Sequence, residues 1–296
     1  HNGFLMVKNH YSLISAGTES STIKASQKGY LGKAKSRPDQ FKKVIDNLKN
    51  QGPITTYRNV MKKLEAYSPM GYSSAGRVIE VGRGVDEFSV GDLVACSGVG
   101  YANHAEIVTV PKNLCVKLNK NSNLKNASYN ALGGIAMQSI RQADLKLGET
   151  CAVIGLGLVG QLTCLLLKAN GINVVGIDID NFAVNFSDGY SVDLALNSSD
   201  DSILNKILNF THSIGLDCVI IAASTNSLDP INLAGAICRQ KGKVIVLGDV
   251  PTGFDREYYY RKELTLKMSC SYGPGRYDAN YEQKGIDYPS GYVRWT

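Results

Sequence analysis

Three glycines carry the sharpest chemical signal in this chain of 296 residues. Gly155, Gly157 and Gly160 stand in G-x-G-x-x-G register within the run CAVIGLGLVGQL, which begins at Cys151. Gly155 permits a tight turn, Gly157 lets the backbone approach a pyrophosphate, and Gly160 allows close helix–strand contact. The helix that follows offers amide donors and the positive end of its dipole to an anion. The motif alone is weak, but a second apolar strand follows it and ends at Asp178, eighteen residues after Gly160. A carboxylate there accepts both hydroxyls of an adenosine ribose and repels a 2′-phosphate, and Ile179 and Asp180 supply no arginine for one. The pattern therefore expects NAD rather than NADP. Leu158 and Val159 share the same turn, and Ala222, Ala223 and Gly248 end later strands. A flavodoxin-like domain with an accidental glycine turn is the alternative.

The elements that must position these residues alternate from about residue 123. Helices are expected at Ala127–Gln142, Val159–Asn170, Ser202–Thr211 and Leu228–Cys238. Strands are expected at Thr150–Ile154, Asn173–Ile177, Cys218–Ala222 and Lys243–Leu247. Near-continuous apolar strands between such helices mean a parallel sheet covered on both faces. Upstream the texture differs: Phe4–Ile14 and Gly76–Val110 read as short strands broken by glycine. Between them two helices are expected. Pro38–Asn50 carries Phe41, Val44, Ile45 and Leu48 on one face, and Thr55–Ala66 carries Tyr57, Val60, Met61 and Leu64. The expected domains are 1–122, with a helical insertion at about 30–68, then 123–262, then a return segment 263–296.

Composition bounds the function classes. The apolar fraction is 44% and the charged fraction 20%, which excludes a disordered or low-complexity chain. No apolar run is long enough to span a membrane. The seven cysteines are scattered without a C-x-x-C pair, so they read as free thiols in a reducing, cytoplasmic compartment. The first residues lack a secretory signal, and the absence of an initiator Met suggests a start inside a larger gene product. Net charge is +6, yet Lys24–Lys63 holds eleven Lys or Arg against two acids. That stretch reads either as a solvated helical face or as an anion site built on Lys33, Lys35, Arg37, Lys42 and Lys43. It lacks the stacking aromatics of a nucleic-acid surface.

Together, ISAGTES from Ile14, GYSSAGRVIEVGRGVDEFSVGDLVA from Gly71, YANHAEIVTVP from Tyr101 and the Gly155–Asp178 unit resemble the medium-chain dehydrogenase/reductase superfamily. That is the fold of zinc-type alcohol dehydrogenases and quinone reductases. The closing run SYGPGRYDANYEQKGIDYPSGYVRWT resembles more specifically the dehydrogenase half of bacterial bi-domain oxidoreductases, whose genes often accompany surface-polysaccharide functions. The resemblance implies an α/β protein: a GroES-like, partly β-barrel catalytic domain plus a Rossmann doubly wound parallel sheet. It also implies a homodimer and a covalently linked second oxidoreductase domain. By the same resemblance the chain is expected to stop short of the family's closing strands, leaving the catalytic domain incomplete.

The departures from the family pattern bear on the chemistry. The metal-binding Cys of C-G-T-D falls on Ala16, the His of G-H-E on Tyr72, its Glu on Ser73, and the third ligand near Ala131. None of these binds Zn²⁺, and the structural four-Cys lobe is missing, so no metal is expected. His10, His104 and Cys96 stay as isolated residues; a lone His is more often a structural hydrogen-bonder than a ligand. By the resemblance, Thr18 occupies the hydroxyl-relay position and Glu19 that of its neighbouring acid, a general base or an orienter of Tyr72. The Tyr72 phenol can donate a proton or merely fill the empty metal site, and Tyr101 is a weaker alternative. Tyr272, Arg276, Tyr277, Arg294 and Trp295 suit a sugar or phosphate, or form a plain crossing segment. The expected activity is hydride transfer between NAD and a hydroxyl or ketone of a sugar-derived small molecule. A quinone-reductase-like C=C reductase and a non-catalytic NAD-binding module are the alternatives.

Overall fold

A computed structural model describes residues 1–27, 52 and 69–289. The chain divides into two compact groups, 1–110 with 115–128, and 111–114 with the residues from 129 onward. The helices expected at Pro38–Asn50 and Thr55–Ala66, the anion-site candidates Lys33, Lys35, Arg37, Lys42 and Lys43, and Arg294 and Trp295 lie outside the described residues.

The first group is built on strands β1 (Phe4–Ser12), β2 (Ser73–Val81), β3 (Leu93–Ser97), β4 (Ile107–Pro111) and β5 (Cys115–Lys117), in the order β4-β1-β2-β3-β5. The β1–β2, β2–β3 and β3–β5 pairs are antiparallel. Helix α1 (Ala16–Gln27) follows β1, and the single-turn helix α2 (Leu124–Ala127) closes the group. Leu5 and Val7 are fully buried on one face of β1 while Lys8 is exposed, the two-residue period of a one-sided sheet. Register shifts between Met6 and Val7 and between Asn9 and Tyr11 bend β1 and raise its twist, curling the sheet into a half-barrel. The strands also approach unusually closely at Gly76, where a Cβ would lie 2.1 Å from the Lys8 carbonyl oxygen.

The second group holds a six-stranded sheet of β6 (Thr150–Ile154), β7 (Asn173–Asp178), β8 (Leu194–Asn197), β9 (Leu216–Ile221), β10 (Cys238–Val246) and β11 (Thr265–Met268). Its order is β11-β10-β9-β6-β7-β8, with every neighbouring pair parallel. Read from β8, that is the 3-2-1-4-5-6 order of a doubly wound dinucleotide-binding fold, with its switch point between β6 and β9. Helices α3 (Asn130–Ala143), α4 (Leu158–Ala169), α5 (Asn181–Ser187), α6 (Ile203–Phe210), α7 (Asp229–Ile237) and α8 (Arg256–Arg261) connect the strands, and α9 (Ala279–Glu282) lies beyond them. Alternate strand residues feed two cores. Ala152, Ile154, Val175, Ile177, Val219 and Ile221 enter one, and Cys151, Val153, Val174, Cys218 and Ile220 the other. Burial on both faces is why these strands read as unbroken apolar runs. The domain boundary expected after residue 262 falls between α8 and β11, the edge strand beside β10.

Among the elements that escape sequence patterning are α5 and β8. Helix α5 has seven residues and leaves Phe182 and Phe186 exposed, so it has no clean apolar stripe. Strand β8 spans four residues. All seven cysteines are free; six are buried and Cys270 is exposed. Burial pushes the Cys164 thiol up to about 12, which leaves it a packing group rather than a nucleophile. Among the described residues no helix is long and apolar enough to cross a membrane.

The starts of β6, β9 and β10 are tied together by Asp217. Its carboxylate accepts from the Thr150 amide at 2.7 Å, the Thr150 hydroxyl at 2.9 Å and Arg239 Nε at 2.6 Å. Burial opposes ionisation here, but the Thr150 amide, Arg239 and the Thr150 hydroxyl outweigh it and hold the carboxyl below its ordinary range. A depressed carboxyl stabilises the fold above its unfolded-state pKa, and that contribution is lost as pH falls through the folded-state value. Asp217→Asn is therefore expected to melt earlier than wild type at pH 7. The gap should close in acid, and a gap that persists unchanged at low pH would exclude the charge as its source.

Candidate active site

The turn after β6 delivers the glycine motif to the switch point. Gly155 sits at φ +99°, and a Cβ on it would lie 2.6 Å from the Ala223 nitrogen, so the β6 and β9 turns touch backbone to backbone. Gly248, after β10, makes the same kind of contact: its Cβ would fall 2.0 Å from the Ala223 carbonyl oxygen. Gly155, Ala222, Ala223 and Gly248 are thus brought together at one end of the sheet. Gly160 faces the turn from α4, and a Cβ there would lie 1.8 Å from the Gly155 carbonyl oxygen. Gly157 caps α4 with extended backbone, and a Cβ on it would meet nothing within 4 Å. Leu158 and Val159 form the first turn of α4, with Leu158 exposed.

Asp178 ends β7 beside this turn and is half-buried. One carboxylate oxygen accepts from the Leu156 amide at 2.6 Å and the other from the Asp180 amide at 2.9 Å. Leu156 is buried in the core, so the glycine turn is pinned at both its side chain and its amide. A carboxylate has about four acceptor positions, so two amides leave it able to take ribose hydroxyls. The open space beside Gly157, the free amides of a helix start and this fixed carboxylate fit a dinucleotide.

The residues expected to do chemistry lie in the first group. Thr18 is in the first turn of α1, exposed, with the Ser15 hydroxyl 3.4 Å from its own. Glu19 is 7% exposed, and its carboxylate reaches back to the Ser15 amide at 2.9 Å. Tyr72 is half-buried between Gly71, at φ +91°, and the start of β2, and its carbonyl accepts from the Gly98 amide at 3.0 Å. The Tyr101 ring lies 6.4 Å from that of Phe4.

His104, which looks isolated in sequence, is joined to this set. Its Nε2 lies 3.1 and 3.2 Å from the two Glu19 oxygens, and its Nδ1 lies 2.9 Å from the Ser12 hydroxyl. The sequence separations are 92 residues from Ser12 and 85 from Glu19, so no local pattern could have shown the grouping. Gly71 packs beside the imidazole: a Cβ there would lie 2.8 Å from His104 Nδ1.

The positions that the resemblance assigns to metal ligands do not fit a metal. Ala16 and Ala131 have no donor atom, and the buried Ser73 hydroxyl donates to the Ser128 carbonyl at 2.6 Å. Among the described residues, no group of three or more His, Cys, Asp or Glu is arranged to hold one. In the tail, Tyr272 and Arg276 both donate to Glu282, with Arg276 Nη1 3.0 and 3.2 Å from its oxygens. Burial, then that bond to Glu282, raises the Tyr272 phenol. Tyr277 is exposed, with the Arg276 guanidinium 3.9 Å over its ring. These contacts spend Tyr272 and Arg276 within the tail itself.

A parallel sheet in dinucleotide order, with a glycine turn at its switch point, and a curled antiparallel sheet in the same chain define a two-part protein of the dinucleotide-binding class. Comparison with known proteins gives the family. Residues 50–120 match the alcohol dehydrogenase GroES-like domain, and residues 159–283 match the zinc-binding dehydrogenase family. The chain belongs to the zinc-type medium-chain dehydrogenase/reductase superfamily and is a dehydrogenase of that type.

It is 24% identical over 240 residues to a probable D-xylulose reductase A of Aspergillus clavatus, covering 70% of this chain and 67% of that protein. It is 29% identical over 153 residues to the D-guloside 3-dehydrogenase of Escherichia coli, covering 51% of this chain and 43% of that one. The chain thus spans about two thirds of the first relative and less than half of the second. Among solved structures, 2R,3R-butanediol dehydrogenase from Bacillus subtilis matches with TM-score 0.69 at 18% identity, over 93% of this chain and 79% of that one.

Proposed function

We infer that the protein transfers hydride between NAD and a secondary hydroxyl or ketone of a polyol or sugar derivative, without a catalytic zinc. The carrying observation is the pairing of the pinned Asp178 carboxylate with the open glycine turn at the switch point, which suits an unphosphorylated adenosine ribose. The substrate class rests on the relatives, whose names denote xylulose and a guloside. Bound NAD supplies the hydride acceptor. The α4 amides bind the pyrophosphate, and Asp178 orients the ribose. Thr18 and Tyr72 offer hydroxyls that hold the substrate oxygen as its proton leaves. Residence in the cytoplasm, a homodimer and a covalently linked second oxidoreductase domain complete this reading.

The test is NAD-linked oxidation of a panel of polyols and glycosides, with metal content measured before and after chelation. Activity is expected to survive chelation at well under one zinc per chain. Activity lost on chelation and restored by zinc would overturn the metal-free mechanism. A second reading, a non-catalytic NAD-binding module, is favoured by the alanines at the ligand positions. It predicts NAD binding with no turnover of any alcohol.

A further inference from the structure

Asp178 fixes the amide of Leu156, which belongs to the peptide between Gly155 and Leu156. The next peptide, between Leu156 and Gly157, needs a hold of its own. Glycine takes either sign of φ at little cost, so a peptide that enters Gly157 can flip unless something restrains it. A planar trans peptide points its C=O and its N–H in opposite directions. With the Leu156 carbonyl turned one way, the Gly157 N–H points the other; flipped, the same peptide would aim a carbonyl oxygen where the N–H had been. Beside an anion the first orientation attracts and the second repels.

The side chain of Gln161 meets that carbonyl. Gln161 follows Gly160 in the first turn of α4 and is half-buried. Its Nε2 donates to the Leu156 carbonyl at 3.2 Å and to the Ser187 hydroxyl oxygen at 2.5 Å. Ser187, the last residue of α5, directs its own hydrogen to the Ala183 carbonyl at 2.7 Å. Both partners at this end of the amide are therefore acceptors, and the end that meets them is the nitrogen. At the other end Oε1 accepts from the Ser191 hydroxyl at 2.7 Å. Ser187 and Ser191 are fully buried, so the amide is clamped between the turn and the segment around α5.

We propose that Gln161 is a positioning residue of the cofactor site, which keeps the Leu156 carbonyl turned away from the pyrophosphate and the Gly157 N–H turned towards it. The proposal rests on the NAD reading above. Gln161 touches no nucleotide: it acts through the Leu156–Gly157 peptide, and Ser191 acts through Gln161. The turn then has two holds with separate tasks. Asp178 fixes the peptide before Leu156 and orients the ribose, and Gln161 fixes the peptide after it for the pyrophosphate.

The experiment compares NAD with adenosine, which carries the ribose but no phosphate, in titrations followed by NMR. Gln161→Met keeps the length of the side chain and removes its donors and acceptor. It should weaken NAD about tenfold and adenosine by less than about twofold. Ser191→Ala should weaken NAD about threefold with the same selectivity. The double variant should bind NAD no worse than Gln161→Met alone, because Ser191 has nothing to hold once the amide is gone. In the free protein the Leu156 carbonyl carbon resonance should shift in Gln161→Met, as it does when a carbonyl loses a donor. Equal losses for NAD and adenosine, or losses that add in the double variant, would leave Gln161 a purely structural residue and overturn the proposal. Should Gln161→Met not fold, Ser191→Ala decides: a selective loss supports the role, and an equal loss or none overturns it. Wild type that binds neither ligand would sink the NAD reading and this proposal with it. Wild type that binds NAD, with variants that bind it equally well, would sink this proposal alone.

Discussion

Two alanine substitutions in one turn are expected to fail in opposite ways. Gly160→Ala should unsettle the fold, and Gly157→Ala should leave the fold intact and lose the cofactor. At Gly160 the new Cβ would lie 1.8 Å from the Gly155 carbonyl oxygen, so α4 must back away from the β6 turn by roughly an ångström or more. The obstacle is backbone, which cannot rotate aside as a side chain can. Overpacking of this kind costs about 1–3 kcal/mol, and here the upper end or beyond is expected. In a domain of this size that lowers the melting temperature by roughly 2–4 °C for each kcal/mol.

Gly157 has an ordinary φ of −69°, and a Cβ on it meets nothing, so folding should tolerate the methyl. The space it fills is where the pyrophosphate would approach the α4 amides. NAD affinity should fall about tenfold or more, equivalent to about 1.4 kcal/mol. Thermal melts and NAD titrations on both variants decide the matter. Gly157→Ala binding NAD as wild type does would remove this turn from the site.

Asp178→Ala is the second large effect. The carboxylate would lose two charge-assisted hydrogen bonds to the ribose, each worth about 1.5–3 kcal/mol. NAD affinity should therefore drop by about two orders of magnitude. NADP should lose far less, because removing the carboxylate also removes its repulsion of a 2′-phosphate. The structure adds a complication with its own signature. Asp178 also accepts from the Leu156 amide, so the variant loosens the glycine turn for either nucleotide. Losses of equal size for NAD and NADP would assign Asp178 to holding the turn and withdraw the ribose contact.

What the sequence determined by itself is local. Glycine spacing, the apolar strands and the position of Asp178 are short-range properties, fixed by the backbone freedom of glycine and by burial on both sheet faces. They were enough to identify the parallel sheet, the turn and the strand-end carboxylate. Alanine at two of the positions that the resemblance assigns to metal ligands was also legible, because a missing donor atom needs no geometry to recognise. The sequence did not show α5 and β8, whose lengths of seven and four residues are too short for a period to declare itself.

Only the tertiary structure decided which polar side chains act on each other. His104 gave no signal in sequence because its partners lie 85 and 92 residues away and are brought to it by strand pairing. Asp178 and the Leu156 amide meet because β6 and β7 pair in parallel, which sets the end of one strand beside the turn after the other. Side-chain hydrogen bonds between distant segments depend on register, and register is a property of the assembled sheet rather than of any one strand.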